Sequence, residues 1–179
     1  MSDDAALAAA MRVMSRLGPG AYTLADVALE AGVAPATLVQ RFGGKDRLEV
    51  RALARDNEAF AETLARLPMG RSAAGAIAVF LVLTGDAPDQ RAVADQLLWL
   101  RLDTRDPELG VLARARSQLL RDAVAARLPP LPMSPELAAR LAEAQWQGAL
   151  IQWGVERQGP LADYVTESLA AWFSLINRT

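Results

Sequence analysis

Neither cysteine nor histidine occurs among the 179 residues. The first absence rules out disulfides, thiolate metal sites and a thiol redox switch. The two together remove the usual nucleophile–base triads and imidazole acid–base chemistry. There is no glycine-rich phosphate loop, and the carboxylates are scattered without a paired constellation, so the expectation is a chain that is not an enzyme and carries no cofactor or metal. Lysine is almost absent as well: Lys45 is the only one, and every other basic side chain is arginine. The longest apolar stretch, Ala73 to Leu83, is too short to cross a bilayer and reads as a buried helix. The N-terminus, with Asp3 and Asp4 ahead of an amphipathic alanine-rich run, has no secretory pattern. A cytoplasmic protein without a membrane partner is expected, long enough to bury a real core.

What is present is concentrated between Thr23 and Lys45, TLADVALEAGVAPATLVQRFGGK. Thr23 followed three residues later by Asp26 is a capping-box pattern with Asp in the usual Glu place. Leu24, Val27, Ala28 and Ala31 recur at helical spacing and predict one buried face. Gly32 supplies the left-handed geometry that ends a helix. Pro35 suits the first turn of the next, where its missing N–H is not needed. In that second helix Leu38 and Phe42 point into the core. Thr37, Gln40 and Arg41 are expected on the opposite side and are of the types that read base edges or touch phosphates in a major groove. Gly43 and Gly44 break the helix, and Lys45, a compact point charge suited to a phosphate, opens the next. The same pattern also fits a helical hairpin with a merely solvated polar face.

The ordered set of residues narrows this choice. An alanine-rich first helix carries Leu7, Met11 and Met14 and ends at Gly18. Thr23-Leu24, Asp26-Val27-Ala28, Ala31-Gly32-Val33, Thr37-Leu38, Phe42-Gly43-Gly44-Lys45 and Leu48 follow. Residues 5 to 55 thereby resemble the N-terminal domain of TetR/AcrR-type bacterial transcription regulators. The resemblance implies an all-α fold: a three-helix helix-turn-helix head over residues 1–50, and a helical effector-binding and dimerisation body over 51–179. It implies a homodimeric, ligand-responsive repressor reading a palindromic operator in double-stranded DNA. Thr23, Ala36, Thr37, Gln40, Arg41 and Lys45 are the expected DNA contacts, with Arg41 on a guanine and Lys45 and Thr37 on phosphates. Departures exist. Val39 stands where the family usually has a tyrosine on the DNA backbone. Pro19 replaces an aromatic whose space Tyr22 can fill, and Arg41 stands in place of a common histidine or tyrosine. These departures keep a second reading open, a TetR-fold small-molecule or lipid binder without DNA binding.

The net charge of −2 argues against nucleic acid if taken globally. Locally, Arg41, Lys45, Arg47, Arg51 and Arg55 are offset only by Asp46 and Glu49, and local distribution is what phosphates meet.

The rest of the chain reads as helices punctuated by Pro and Gly, about nine in all, with no strand pattern, repeat or low-complexity tract. Helices are expected over about Lys45–Leu67, Ser72–Thr84, Asp89–Thr104 and from Pro107. After the stiff Pro129-Pro130-Leu131-Pro132 linker, Ser134 caps another with Pro135 in its first turn. Gly159-Pro160 separates that helix from the last. The final two carry doubled apolar stripes. Leu137, Leu141, Ala144, Gly148, Ile151 and Val155 form one, and Ala142, Trp146, Ala149 and Trp153 the other. The last helix has Leu161, Val165, Trp172 and Leu175 beside Leu169, Phe173 and Ile176. A helix with two apolar faces needs two partners. A four-helix interface between subunits is therefore expected, with Ala142, Trp146, Ala149, Trp153, Leu169, Trp172, Phe173 and Ile176 assigned to it. Phe80, Trp99, Trp146 and Trp153 are the expected lining of an effector pocket.

Overall fold

The computed structural model describes residues 1–18, 21–84 and 106–177. Among them are eight helices: α1 (Asp3–Leu17), α2 (Leu24–Ala31), α3 (Pro35–Phe42), α4 (Lys45–Arg66), α5 (Ala73–Thr84), α6 (Pro107–Ala125), α7 (Pro135–Glu156) and α8 (Leu161–Ile176). No strand occurs among the described residues, so the all-α class holds. The helix expected over Asp89–Thr104, with Trp99, lies outside the described residues.

Local chemistry sets the boundaries. Thr23 and Asp26 form the reciprocal capping box of α2, with Asp26 N donating to Thr23 Oγ1 at 3.3 Å and Thr23 N to Asp26 Oδ2 at 2.7 Å. The hydrogen bonds from Thr23 hold the Asp26 carboxyl below the usual carboxylate range. Gly32 follows at φ +69°, a left-handed turn that a Cβ disfavours. Pro35 opens α3 with no side-chain cap ahead of it. Ser134 caps α7, its hydroxyl accepting from Leu137 N at 3.3 Å.

The chain divides into two compact units, one built on Met1–Phe60 and Ala94–Ala115, the other on Ala61–Val93 and Arg116–Thr179. In the first, α1 packs on α2 and α2 on α3. Val13, Met14, Val27, Leu38, Phe42 and Leu48 are buried together at the centre.

In the second unit α8 packs against both α7 and α5. Leu161, Val165, Leu169 and Phe173 form its buried stripe. Trp146 lies against Phe80 with ring centroids 5.7 Å apart, and its Nε1 donates to Thr84 Oγ1 at 3.3 Å. Trp153 Nε1 donates to Gly159 O at 3.1 Å. Six of the eight residues expected at a subunit interface, Ala142, Trp146, Ala149, Trp153, Leu169 and Phe173, are thus buried within one chain and have almost no surface left to give. The exposed apolar surface lies on the other stripe of α7: Leu137, Leu141, Ile151 and Val155 are 38, 40, 47 and 79 % exposed. On α8, Leu175 is exposed, and Trp172 and Ile176 are half-buried.

One polar knot closes the second unit. The buried Arg127 guanidinium donates to Leu64 O (3.1 Å), Leu67 O (2.9 Å), Pro68 O (3.1 Å) and Ala123 O (3.0 Å). Leu64 lies in the last turn of α4, and Leu67 and Pro68 directly follow it, where the negative partial charge of the helix end favours a cation.

Candidate nucleic-acid interface

On α3 the buried side is Leu38 and Phe42. The 100° advance per residue puts Ala36 and Gln40 on the opposite side, and both are exposed. Thr37 and Val39 flank them, the first half-buried and the second 48 % exposed. Thr23, at the start of α2, is exposed as well. Lys45 begins α4, directly after Gly43 and Gly44 at φ +81° and +136°. The N–H groups of that helix start are short of acceptors, and its dipole presents positive charge. Three small surfaces follow from this: an exposed α3 face, a capped α2 start and a cationic α4 start, all in the first unit.

The arginines of the cluster are less free than their number suggests. Arg41 Nε lies 3.3 Å from Asp3 Oδ1, and its Nη1 donates to Met1 O at 2.7 Å. Arg51 donates to the second oxygen of Asp3 at 3.1 Å and stacks over the Phe42 ring at 4.9 Å. Arg55 is 3.4 Å from Asp4 and 3.3 Å from Glu58. Arg12 and Arg16 both bind Glu30, and their hydrogen bonds hold its carboxyl below the usual range. Among the described residues Lys45 and Arg47 make no ion pair. The Lys45 ammonium lies instead 4.1 Å from the centre of the Tyr22 ring. The Tyr22 hydroxyl donates to Glu49 Oε2 at 3.1 Å.

Residues 6–52 match the family model of the bacterial regulatory proteins of the tetR family. This segment is thus similar to the tetR-family domain. The fold of the whole chain agrees. A transcriptional regulator of Rhodococcus sp. Rha1 superposes with a TM-score of 0.81 at 21 % identity, covering 99 % of this chain and 97 % of that one. A TetR transcription regulator of Haloarcula marismortui gives 0.79 at 13 % identity, covering 97 % of each chain. A candidate transcriptional regulator of Saccharomonospora viridis, solved in complex with choline, gives 0.79 at 19 % identity, covering 96 % of this chain and 95 % of that one. No curated protein sequence matches the chain.

Within this TetR-type frame the six expected DNA contacts all fall in the first unit, but they do not share one environment. Ala36 and Gln40 face out together, whereas Arg41 is turned toward the N-terminal acids. Of the expected effector-pocket residues, Phe80, Trp146 and Trp153 are buried and packed, and Trp99 lies outside the described residues. A separate surface hollow of about 360 Å³ is lined by polar side chains including Arg121, Asp122, Glu136 and Arg140. No helix among the described residues is long and apolar enough to cross a membrane. Sequence reasoning missed the pairing of Asp3 and Asp4 with three arginines, and it missed Glu49. The only signal for Glu49 was its register: it falls between Leu48 and Ala52 on the buried side of α4.

Proposed function

We propose that the chain is a DNA-binding transcriptional regulator acting as a ligand-responsive homodimeric repressor. The observation that carries this reading is the outward face of α3, Ala36 and Gln40 with Thr37 beside them, bordered by the cationic start of α4 at Lys45. Gln40 has the donor and acceptor pair that reads adenine in the major groove. Lys45, Thr37 and Thr23 serve phosphates, which fix register without reading sequence. Arg41 joins the base contacts only when it leaves Asp3. An exposed ion pair of this kind is worth at most about 1 kcal/mol, so a guanine edge or a phosphate competes with it easily. The exposed α7 stripe, with Trp172 and Leu175 of α8, supplies the apolar surface for a second copy. Two heads then sit about one helical turn apart, roughly 34–36 Å, on a palindromic operator.

For the effector, the Phe80–Trp146 pair marks the apolar interior of the second unit. The Saccharomonospora viridis protein, solved in complex with choline, supports a small-molecule effector for this chain. Trp over a quaternary ammonium is a favourable pairing.

Selection from random duplex DNA tests the reading. A palindromic site should emerge, and Gln40→Ala should relax one base pair per half-site by about 1–3 kcal/mol of discrimination. Failure of the protein to retain any duplex at low salt would favour the small-molecule binder without DNA binding, the reading that Val39 keeps open.

A further inference from the structure

Glu49 is an anomaly inside the head. Its residue is 7 % exposed, and it projects from the buried face of α4 beside Leu48 and Ala52. Oε2 accepts the Tyr22 hydroxyl at 3.1 Å, whereas Oε1 is buried and has no hydrogen-bond partner among the described residues. A buried carboxylate with half its acceptor capacity unmet is costly and calls for an explanation. The cation that acts on it among the described residues is Lys45, one helical turn earlier on α4, whose ammonium lies on the face of the same Tyr22 ring. The other charged groups acting on Glu49 are Asp46, on its own helix, and Asp106, just ahead of α6 in the same unit. Both are negative, so Lys45 is the charge that offsets them.

We propose that Tyr22 and Glu49 are positioning residues for the phosphate contact of Lys45: the Tyr22 ring is the platform for the ammonium, and Glu49 is its counter-charge until DNA arrives. This rests on the DNA-binding reading above. When a phosphate takes the ammonium, Glu49 loses the positive partner that acts on it among the described residues and gains a negative one. The carboxylate then takes a proton from solvent, and its hydrogen bond from Tyr22 is replaced by one compatible with the neutral acid.

The sign of the resulting linkage follows. Burial already holds the Glu49 carboxyl above the usual carboxylate range in the free protein, against the lowering effects of the Tyr22 hydrogen bond and Lys45. DNA raises it further by removing the second of these. The complex therefore holds more protons than its parts, and affinity rises as pH falls through the window between the two values. The slope approaches tenfold per pH unit per head. The absence of histidine keeps that window free of the usual titrating side chain.

The test is the affinity of the full-length protein for a mixed-sequence duplex at low ionic strength, followed by fluorescence anisotropy from neutral pH down to the carboxylate range. Wild type should bind more tightly as pH falls. Glu49→Gln, neutral and of the same shape, should bind more tightly than wild type at neutral pH and with a flat profile through the window. Lys45→Met should bind more weakly and lose the slope. A purely structural Glu49 would shift affinity without altering the pH dependence. Binding by wild type and Glu49→Gln with the same pH slope overturns the proposal while leaving DNA binding intact. No binding by either at any pH overturns the DNA-binding reading and this one together. A carboxyl carbon-13 titration of Glu49, free and with duplex, gives a second readout. The carboxyl should titrate higher with DNA, and identical titrations would also overturn the proposal.

Discussion

Arg127 shows how one residue can hold a helix end. Its charge is removed from water, and among the described residues it meets no carboxylate. Four carbonyls take its place, three of them at the end of α4. Replacing a buried ion by an apolar side chain can be neutral when everything it touched is also satisfied. Here Leu64 O would keep its bond from Leu67 N at 3.3 Å, but the carbonyls of Leu67, Pro68 and Ala123 would lose the guanidinium donor. Hydrogen bonds to charged groups contribute roughly 1.5–3 kcal/mol each, and they are not additive. Arg127→Met should therefore destabilise the protein by about 3 kcal/mol in urea denaturation. Arg127→Lys should recover only part of that, because an ammonium has three donors and no planar fork. A denaturation midpoint unchanged by Arg127→Met would remove Arg127 from any account of how α4 ends.

At the scale of elements, the sequence was legible wherever an end has its own chemistry. The capping box at Thr23, Gly32, Pro35, Ser134 and the Gly159-Pro160 break each state their boundary within a few residues, because caps and breaks are local. Faces were less legible. Both stripes of α7 are apolar, and nothing local says that Trp146 reaches Thr84 or that Leu141 stays in solvent. That choice is made by the packing of α5 and α8. The same limit applies to Asp3, which finds Arg41 and Arg51 across a long stretch of chain, and to Glu49, whose burial contradicts its residue type. It applies again to residues 106–115, which join the first unit from far along the chain. The start of α5 offers a test in which two local effects oppose. Helix propensity alone says that Gly75→Ala should stabilise the helix by up to about 1 kcal/mol. A Cβ at Gly75, however, would run into the carbonyl oxygen of Gly70, a backbone atom that cannot simply turn aside. Ser72, whose hydroxyl accepts from Gly75 N at 3.0 Å, would be disturbed with it. Steric cost should win, with a net loss of about 1–3 kcal/mol. A raised melting temperature for Gly75→Ala would show that the turn relaxes freely.

For the whole molecule, the exposed α7 stripe is the feature that asks for a partner. Contiguous exposed apolar surface marks an interaction site. Ile151→Glu places a charge in its middle without touching the buried stripe, so the fold should survive and the association should not. Sedimentation should show a dimer for wild type and a monomer for the variant. DNA affinity should fall, since one head alone meets one half-site. A wild-type monomer at micromolar concentration would end both the dimer and the palindrome. Buried replacements such as Phe173→Glu would be uninformative by comparison, because they break the subunit itself.

The scarcity of lysine has a consequence of another kind for the entire chain. Acylating reagents and acetyl-transferring enzymes find one side-chain amine, and it lies on the Tyr22 ring at the start of α4. Its acetylation would remove a single ammonium charge, leaving eighteen arginines untouched. A side-chain acetyl on this protein is thus already assigned to a position, and an isotope-labelled methyl placed on that amine would give one side-chain signal reporting from the start of α4.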